Sequence, residues 1–186
     1  MTDNCKIILD LCGGTGSWSR PYREAGYDVR LITLPEYDVL TYEPPDDVYG
    51  ILAAPPCTDF ASSGARWFAA KDRDGRTLQS MGVLIAVLEI IARAQPSAFW
   101  ALENPIGRIR RWMHTPALTF DPCEYGDPYT KRTHLWGRFN PPVKNPVYPS
   151  EGSKMWRIYG GRSERTKMMR SITPPGFARA FFEANR

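Results

Sequence analysis

Short apolar runs that each end on a glycine or a proline constrain this chain more than any other feature. Residues 6–11 (KIILDL) stop at a glycine cluster, residues 49–54 (YGILAA) stop at Pro55-Pro56, and residues 98–102 (AFWAL) stop at Glu103-Asn104-Pro105. Such runs, bounded by breakers, read as buried strands, and residues 29–34 add another. Helical patterns alternate with them. Residues 17–26 are closed by Gly26, and in residues 77–94 Met81, Leu84, Leu88 and Ile91 recur at helical spacing before a stop at Pro96. Residues 177–184 (FARAFFEA) read as a closing helix. Strands alternating with helices imply an α/β fold with a mostly parallel sheet. The strand ends then line up on the edge where open sheets of this kind bind ligands.

The chain has 186 residues, of which 42% are apolar and 24% charged. That is one domain with a core of its own, residues 1–186, and it excludes a disordered or disulfide-built chain. The N-terminus lacks the basic and apolar regions of a signal peptide. The longest uncharged apolar stretch, residues 77–88, falls short of the ~20 residues of a membrane span. Four cysteines without a CxxC pair, and only two histidines, argue against a zinc or other metal site. Reduced thiols and a cytoplasmic location are expected. Residues 140–152 (NPPVKNPVYPSEG) hold four prolines and read as a connector. The net charge of +4 hides an asymmetry: residues 1–60 carry four basic and ten acidic side chains, whereas residues 106–186 carry fifteen basic and six acidic ones. A basic half beside an acidic half suggests an anionic partner met on one face.

Three strand ends carry candidate chemistry. Cys12-Gly13-Gly14-Thr15-Gly16-Ser17 lets backbone approach a ligand and leads into a helix. By itself it signals a nucleotide-like cofactor about as well as a plain tight turn. Cys57, stiffened by Pro55 and Pro56, is a candidate nucleophile, although most lone cysteines are small buried hydrophobes. Cys5 and Cys123 read as structural. Glu103 ends an apolar strand, where a desolvated carboxyl could carry a proton near neutrality or simply cap backbone N–H groups.

Together these segments resemble the DNA cytosine C5 methyltransferases, in order and over nearly the whole chain. LDLCGGTGSWSRPYREAGYDV looks like the family's first motif, APPCTDFASSG like its Pro-Cys motif, ALENP like its Glu-Asn-Val motif with proline in place of valine, and YGDPYTKRTHLWGRF like its arginine motif. SITPPGFARAFF, within the C-terminal residues 171–186, resembles the last motif, which folds back to the cofactor. The Pro-Cys and Glu-Asn pair is the specific part. The resemblance implies a Rossmann-like fold that binds S-adenosylmethionine through Asp10, Cys12, Gly13, Gly14, Thr15, Gly16, Ser17, Trp18, Asp38 and Pro55. It implies Cys57 as the nucleophile that attacks C6 of a flipped cytosine and Glu103 as the group at N3. Arg132 would contact the base, Asn104 would shape the pocket and Pro56 the nucleophile loop.

The family's sizeable target-recognition domain has no counterpart, because the space between motifs is residues 140–154. Such an enzyme would grip DNA through phosphates, with relaxed sequence specificity. Arg157, Arg162, Arg165, Lys167 and Arg170 are candidate contacts, and Trp156 and Tyr159 could stack on bases or simply pack. Specificity could also come from a partner protein or a homo-oligomer. The compact form suggests a phage or mobile-element gene. Other readings keep the same residues but change the acceptor to a free nucleotide or single-stranded DNA, or the donor to a modified S-adenosylmethionine. A non-catalytic DNA-binding protein has no need of both Cys57 and Glu103. A nicotinamide oxidoreductase leaves the Pro-Cys and Glu-Asn segments unexplained.

Overall fold

The computed structural model describes residues 5–153 and 163–186. In chain order these form β1 (Ile7–Leu11), α1 (Arg20–Glu24), β2 (Asp28–Ile32), β3 (Val48–Ala53), α2 (Phe68–Arg73), α3 (Arg76–Ala94), β4 (Phe99–Pro105), α4 (Arg110–Met113), β5 (Leu118–Phe120), β6 (Thr133–Arg138), α5 (Glu164–Ser171) and α6 (Pro175–Ala184). Two 3-10 turns, Ser62–Trp67 and Pro122–Tyr125, punctuate the loops. The strands make one sheet in the order β2-β1-β3-β4-β6-β5. β1 to β4 pair in parallel, while β6 runs antiparallel to both of its neighbours. This is the mostly parallel, Rossmann-like α/β fold that the strand–helix alternation implies.

Both faces of the sheet are covered, so its central strands are near-continuous apolar runs rather than alternating ones, interrupted by Asp10 in β1 and by Glu103 and Asn104 at the end of β4. On one face Leu9, Ile51 and Leu102 meet Leu84, Val87 and Ile90 of α3. On the other, Ile8, Leu52, Ala101 and Leu135 meet Trp18 and Tyr22 around α1 and Phe177 and Phe181 of α6. The α3 helix is long and apolar enough to cross a membrane by length and composition. In the fold, its Leu84, Val87, Ile90 and Ile91 pack on the sheet. It ends at Gln95 in the left-handed region (φ 44°), just before Pro96.

Several boundaries differ from the sequence expectation. The helix expected over residues 17–26 is confined to Arg20–Glu24, because Ser17 and Ser19 spend their hydroxyls on other segments. β4 continues through Glu103 and Asn104, since β6 pairs with it register for register as far as Pro105↔Thr133. The β5–β6 hairpin was not anticipated at all. The proline-rich connector is irregular, as expected. It is pinned to the 3-10 turn at residues 122–125 by Asn145 N–H on the Glu124 carbonyl (2.9 Å) and Val147 N–H on the Cys123 carbonyl (2.8 Å).

Candidate functional site

Strand order reverses at β1, since the chain runs from β1 out to β2 and then returns to β3 on the other side. Such a switch point opens a crevice beyond the carboxyl ends of the two strands. The glycine loop leaves β1 and the Pro55–Cys57 loop leaves β3 at this place. Ala54 N–H donates to the Leu11 carbonyl at 2.9 Å, which holds the two loops together at their roots.

The glycine loop is built around Asp10, which is fully buried. Ser19 Oγ donates to Asp10 Oδ2 at 2.5 Å, while Asp10 Oδ1 is buried with no hydrogen-bond partner among the described residues. Burial pushes the Asp10 carboxyl up to about 6, against the pull of Ser19 and Arg23. A Cβ at Gly13 would lie 2.3 Å from Asp10 Oδ1, so only glycine lets the loop turn this tightly over the carboxyl. Cys12 occupies the left-handed region at φ 57°, a conformation that costs a non-glycine residue roughly 1 kcal/mol or more and clusters at ligand sites. Burial, then the nearby carboxylates of Asp10 and Asp38, push the Cys12 thiol up to about 12, which places Asp38 beside the same loop. Trp18 is buried against Phe177 and Phe181, and its indole N–H has no partner among the described residues. Thr173 N–H donates to Ser17 Oγ at 2.9 Å, so the C-terminal segment closes on the loop. The expected cofactor residues therefore cluster at and beneath the glycine loop, with Asp10 and Trp18 buried under it. The two polar atoms there without a partner among the described residues, Asp10 Oδ1 and Trp18 Nε1, lie inside the fold.

The Pro55–Cys57 loop is held from both sides. Asn104, fully buried at the end of β4, donates from Nδ2 to the Pro55 carbonyl at 3.1 Å, and its Oδ1 has no partner among the described residues. Asp59 binds the Lys71 ammonium (2.9 Å) and the Ser80 hydroxyl (2.6 Å), and Lys71 also donates to the Thr58 carbonyl at 2.5 Å. Arg108 donates to the Asp59 carbonyl at 2.9 Å. A Cβ at Gly107 would fall 2.0 Å from the Phe60 carbonyl oxygen, a second place where backbone approach demands glycine. Pro56 is exposed and Cys57 partly so. Desolvation, then the Glu103 carboxylate, push the Cys57 thiol up, while the Lys131 ammonium pulls it down. These three groups therefore stand together, with Lys131 Nζ 4.0 Å from Glu103 Oε1 and donating to the Arg170 carbonyl at 2.9 Å.

Arg132 does not join them. Glu103 lies opposite Leu135 and Pro105 opposite Thr133, and directly opposed residues share a face, so the odd-numbered residues of β6 face the same way as Glu103. The alternation carries Lys131 to the Glu103 side and Arg132 to the other, where it pairs with Asp121 at 3.5 Å and is 62% exposed. Sequence reasoning missed Lys131. A lysine one position before an arginine carries no signal until the register of β6 is known. Of the expected phosphate contacts, Arg165 is exposed on α5 and Arg170 lends its carbonyl to Lys131. Lys167 lies within α5. Trp156, Arg157, Tyr159 and Arg162 lie outside the described residues.

No family model and no curated relative matches the chain. Among solved structures it is similar to a methyltransferase from Entamoeba histolytica, EhMeth, at 11% identity and a TM-score of 0.46, over 87% of this chain and 61% of that one. It is also similar to DhpI, solved as a DhpI–SAM–HEP complex, at 14% identity and a TM-score of 0.29, over 81% of this chain and 68% of that one. The chain thus spans about 61% of the length of the first of these structures.

Proposed function

We propose that the chain is an S-adenosylmethionine-dependent methyltransferase acting on C5 of cytosine in DNA. The observation that carries this reading is the convergence of Cys57, Glu103 and Lys131 at the sheet edge, beside the glycine crevice at the switch point. Such a trio suits covalent activation of an electron-poor ring. The glycine loop fits the cofactor: the Cys12–Ser17 backbone turns tightly over Asp10, and Cys12, Gly14 and Gly16 take left-handed conformations that bring backbone close to a ligand. The cofactor's contribution, when bound, is one electrophilic methyl group.

The residues of the chain supply the remaining steps. At rest Cys57 is a thiol, because desolvation and the neighbouring carboxylate both oppose the thiolate. Glu103 takes the thiol proton as sulfur adds to C6, and passes that proton to N3 as the ring electrons move there. This cancels the charge that had opposed the thiolate, so nucleophile formation and base activation are coupled. Lys131 offsets whichever anion remains at each stage. C5, now electron-rich, accepts the methyl group and then loses its proton to water. Expulsion of the Cys57 sulfur restores the ring, and the N3 proton returns through Glu103. The net change is one methyl group in and one proton out. Asn104 fixes the loop that presents Cys57.

The test is mass spectrometry of DNA incubated with protein and S-adenosylmethionine. 5-Methylcytosine is expected, and none with Cys57→Ala. A protein that binds the cofactor yet leaves single-stranded and duplex DNA free of 5-methylcytosine would overturn the reading.

A further inference from the structure

The alternation that turns Lys131 toward Glu103 turns Arg132 onto the other side of the sheet edge, and a second surface is assembled there. α4 lies on that side. Trp112 meets Phe60 edge to face at 5.9 Å, and the charges of Arg110 and Arg132 both reach His134. The 3-10 turn Ser62–Trp67 and α2 flank it, because the Arg108 guanidinium sits 3.9 Å over Phe68 and pairs with Asp72 at 2.8 Å. Arg66 lies 5.2 Å over the Trp67 ring. The resulting rim consists of Arg66, Trp67, Arg110, Arg111, Trp112 and Arg132, and the two indoles are 49% and 43% exposed. Its acids are already engaged, Asp72 by Arg108 and Asp121 by Arg132. Arg66, Arg110 and Arg111 form no ion pair among the described residues.

Unpaired guanidinium groups suit phosphates, which carry no sequence information. Exposed indoles suit flat aromatic faces. A duplex hides the faces of its bases inside the stack, whereas a single strand presents them, and a groove that combines cations with aromatic rings is the physical form of a single-strand track. The Cys57 loop itself is tied down by Lys71 and Arg108, so the strand must come to the nucleophile.

We propose that this rim is a binding track for single-stranded DNA that leads an unpaired cytosine to Cys57. Its role in substrate delivery rests on the methyltransferase reading, but the binding does not. The experiment therefore measures binding on cofactor-free Cys57→Ser protein, by fluorescence anisotropy of a labelled cytosine-containing 12-mer. The matching blunt duplex and inorganic polyphosphate serve as competitors. The single strand is expected to bind at least about tenfold tighter than the duplex. Trp67→Ala should weaken it on the order of tenfold, with most of the affinity restored in Trp67→Phe. Arg110→Ala and Arg111→Ala should each lower the log–log salt slope by about 0.7. Equal affinity for duplex and single strand, no effect of Trp67→Ala, or polyphosphate competing as well as the strand at equal charge would overturn the track. Methylcytosine formed in duplex DNA without single-strand preference sinks the track and spares the enzyme. Intact single-strand preference with no methyl transfer sinks the enzyme and spares the track.

Discussion

Replacing Lys71 by methionine should destabilise the support behind the Cys57 loop in a way that reverses with pH. The Lys71 and Asp59 side chains are 7% and 12% exposed, and their ion pair measures 2.9 Å. Methionine fills most of the lysine volume but leaves Asp59 buried with only the Ser80 hydroxyl as a direct side-chain partner. Stranding one charge of a buried pair costs about 3–5 kcal/mol, so Lys71→Met should lose that much stability at pH 7. In the native protein, burial alone would raise the Asp59 carboxyl, but the hydrogen bonds from Ser80 and Lys71 and the ammonium charge outweigh it and hold the group below its ordinary value. A carboxyl lowered in the folded state stabilises the fold above its unfolded pKa of about 4 and loses that contribution as pH falls through the lowered value. Without Lys71, burial dominates and the folded value rises above the unfolded one, so the variant should gain stability between pH 7 and pH 4. Urea titrations followed by tryptophan fluorescence at pH 7, 5.5 and 4.5 measure both effects. The gap to the native protein should be widest at pH 7 and narrow on acidification. Asp59→Asn combined with Lys71→Met should recover most of the loss, because no charge is then stranded. A gap below about 1 kcal/mol at pH 7, or one that widens on acidification, would refute the reasoning.

Four further outcomes are expected. Lys131→Ala should cut methyl transfer by about 100-fold through kcat, as for loss of a charge-stabilising group. Arg132→Ala should leave kcat within a few-fold and raise KM for DNA, and steady-state kinetics on one substrate separates the two. Asp10, raised to about 6, penalises folding above that pH and is relieved as pH falls toward 4. The native protein should therefore gain on the order of 2–3 kcal/mol from this group between pH 8 and pH 4, a gain missing in Asp10→Asn when the two pH profiles of chemical denaturation are compared. Phe177 is fully buried and stacks on Phe120 at 3.9 Å. Phe177→Ala should cost about 3–5 kcal/mol in calorimetry and loosen the Trp18 contact at the glycine loop.

The parts of the site that strand-end chemistry determines were legible in the sequence. Breakers after residues 11, 54 and 102 fix where apolar runs stop, and a parallel sheet leaves those stops nowhere to go but one edge. The Asn104 contact to Pro55 and the Ser17 contact to Thr173 express that same convergence. What was not legible depended on register or on partners distant in sequence. The strand Thr133–Arg138 mixes polar and aromatic residues, and only pairing with β4 decides that Lys131 faces Glu103 while Arg132 faces away. Nor does any local pattern around Asp59 reveal that Lys71 and Ser80 are its partners, since their spacing becomes proximity only after α2 and α3 pack behind the loop.

The closure of α6 on α1 also sets an order of events during synthesis. Trp18, which borders the glycine loop, finds its aromatic neighbours at Phe177 and Phe181, and the Tyr22 hydroxyl donates to the Asn185 carbonyl. Asn140 and Asn185 exchange hydrogen bonds as well. A ribosome that has made β1, the glycine loop and Cys57 has therefore not yet made the aromatic side chains that pack on Trp18. Contacts separated by some 160 residues are slow to form because loop closure must come first. The glycine loop therefore gains its aromatic support only after the α6 segment has been made, so the two ends of the sheet's covering layer are joined late in folding.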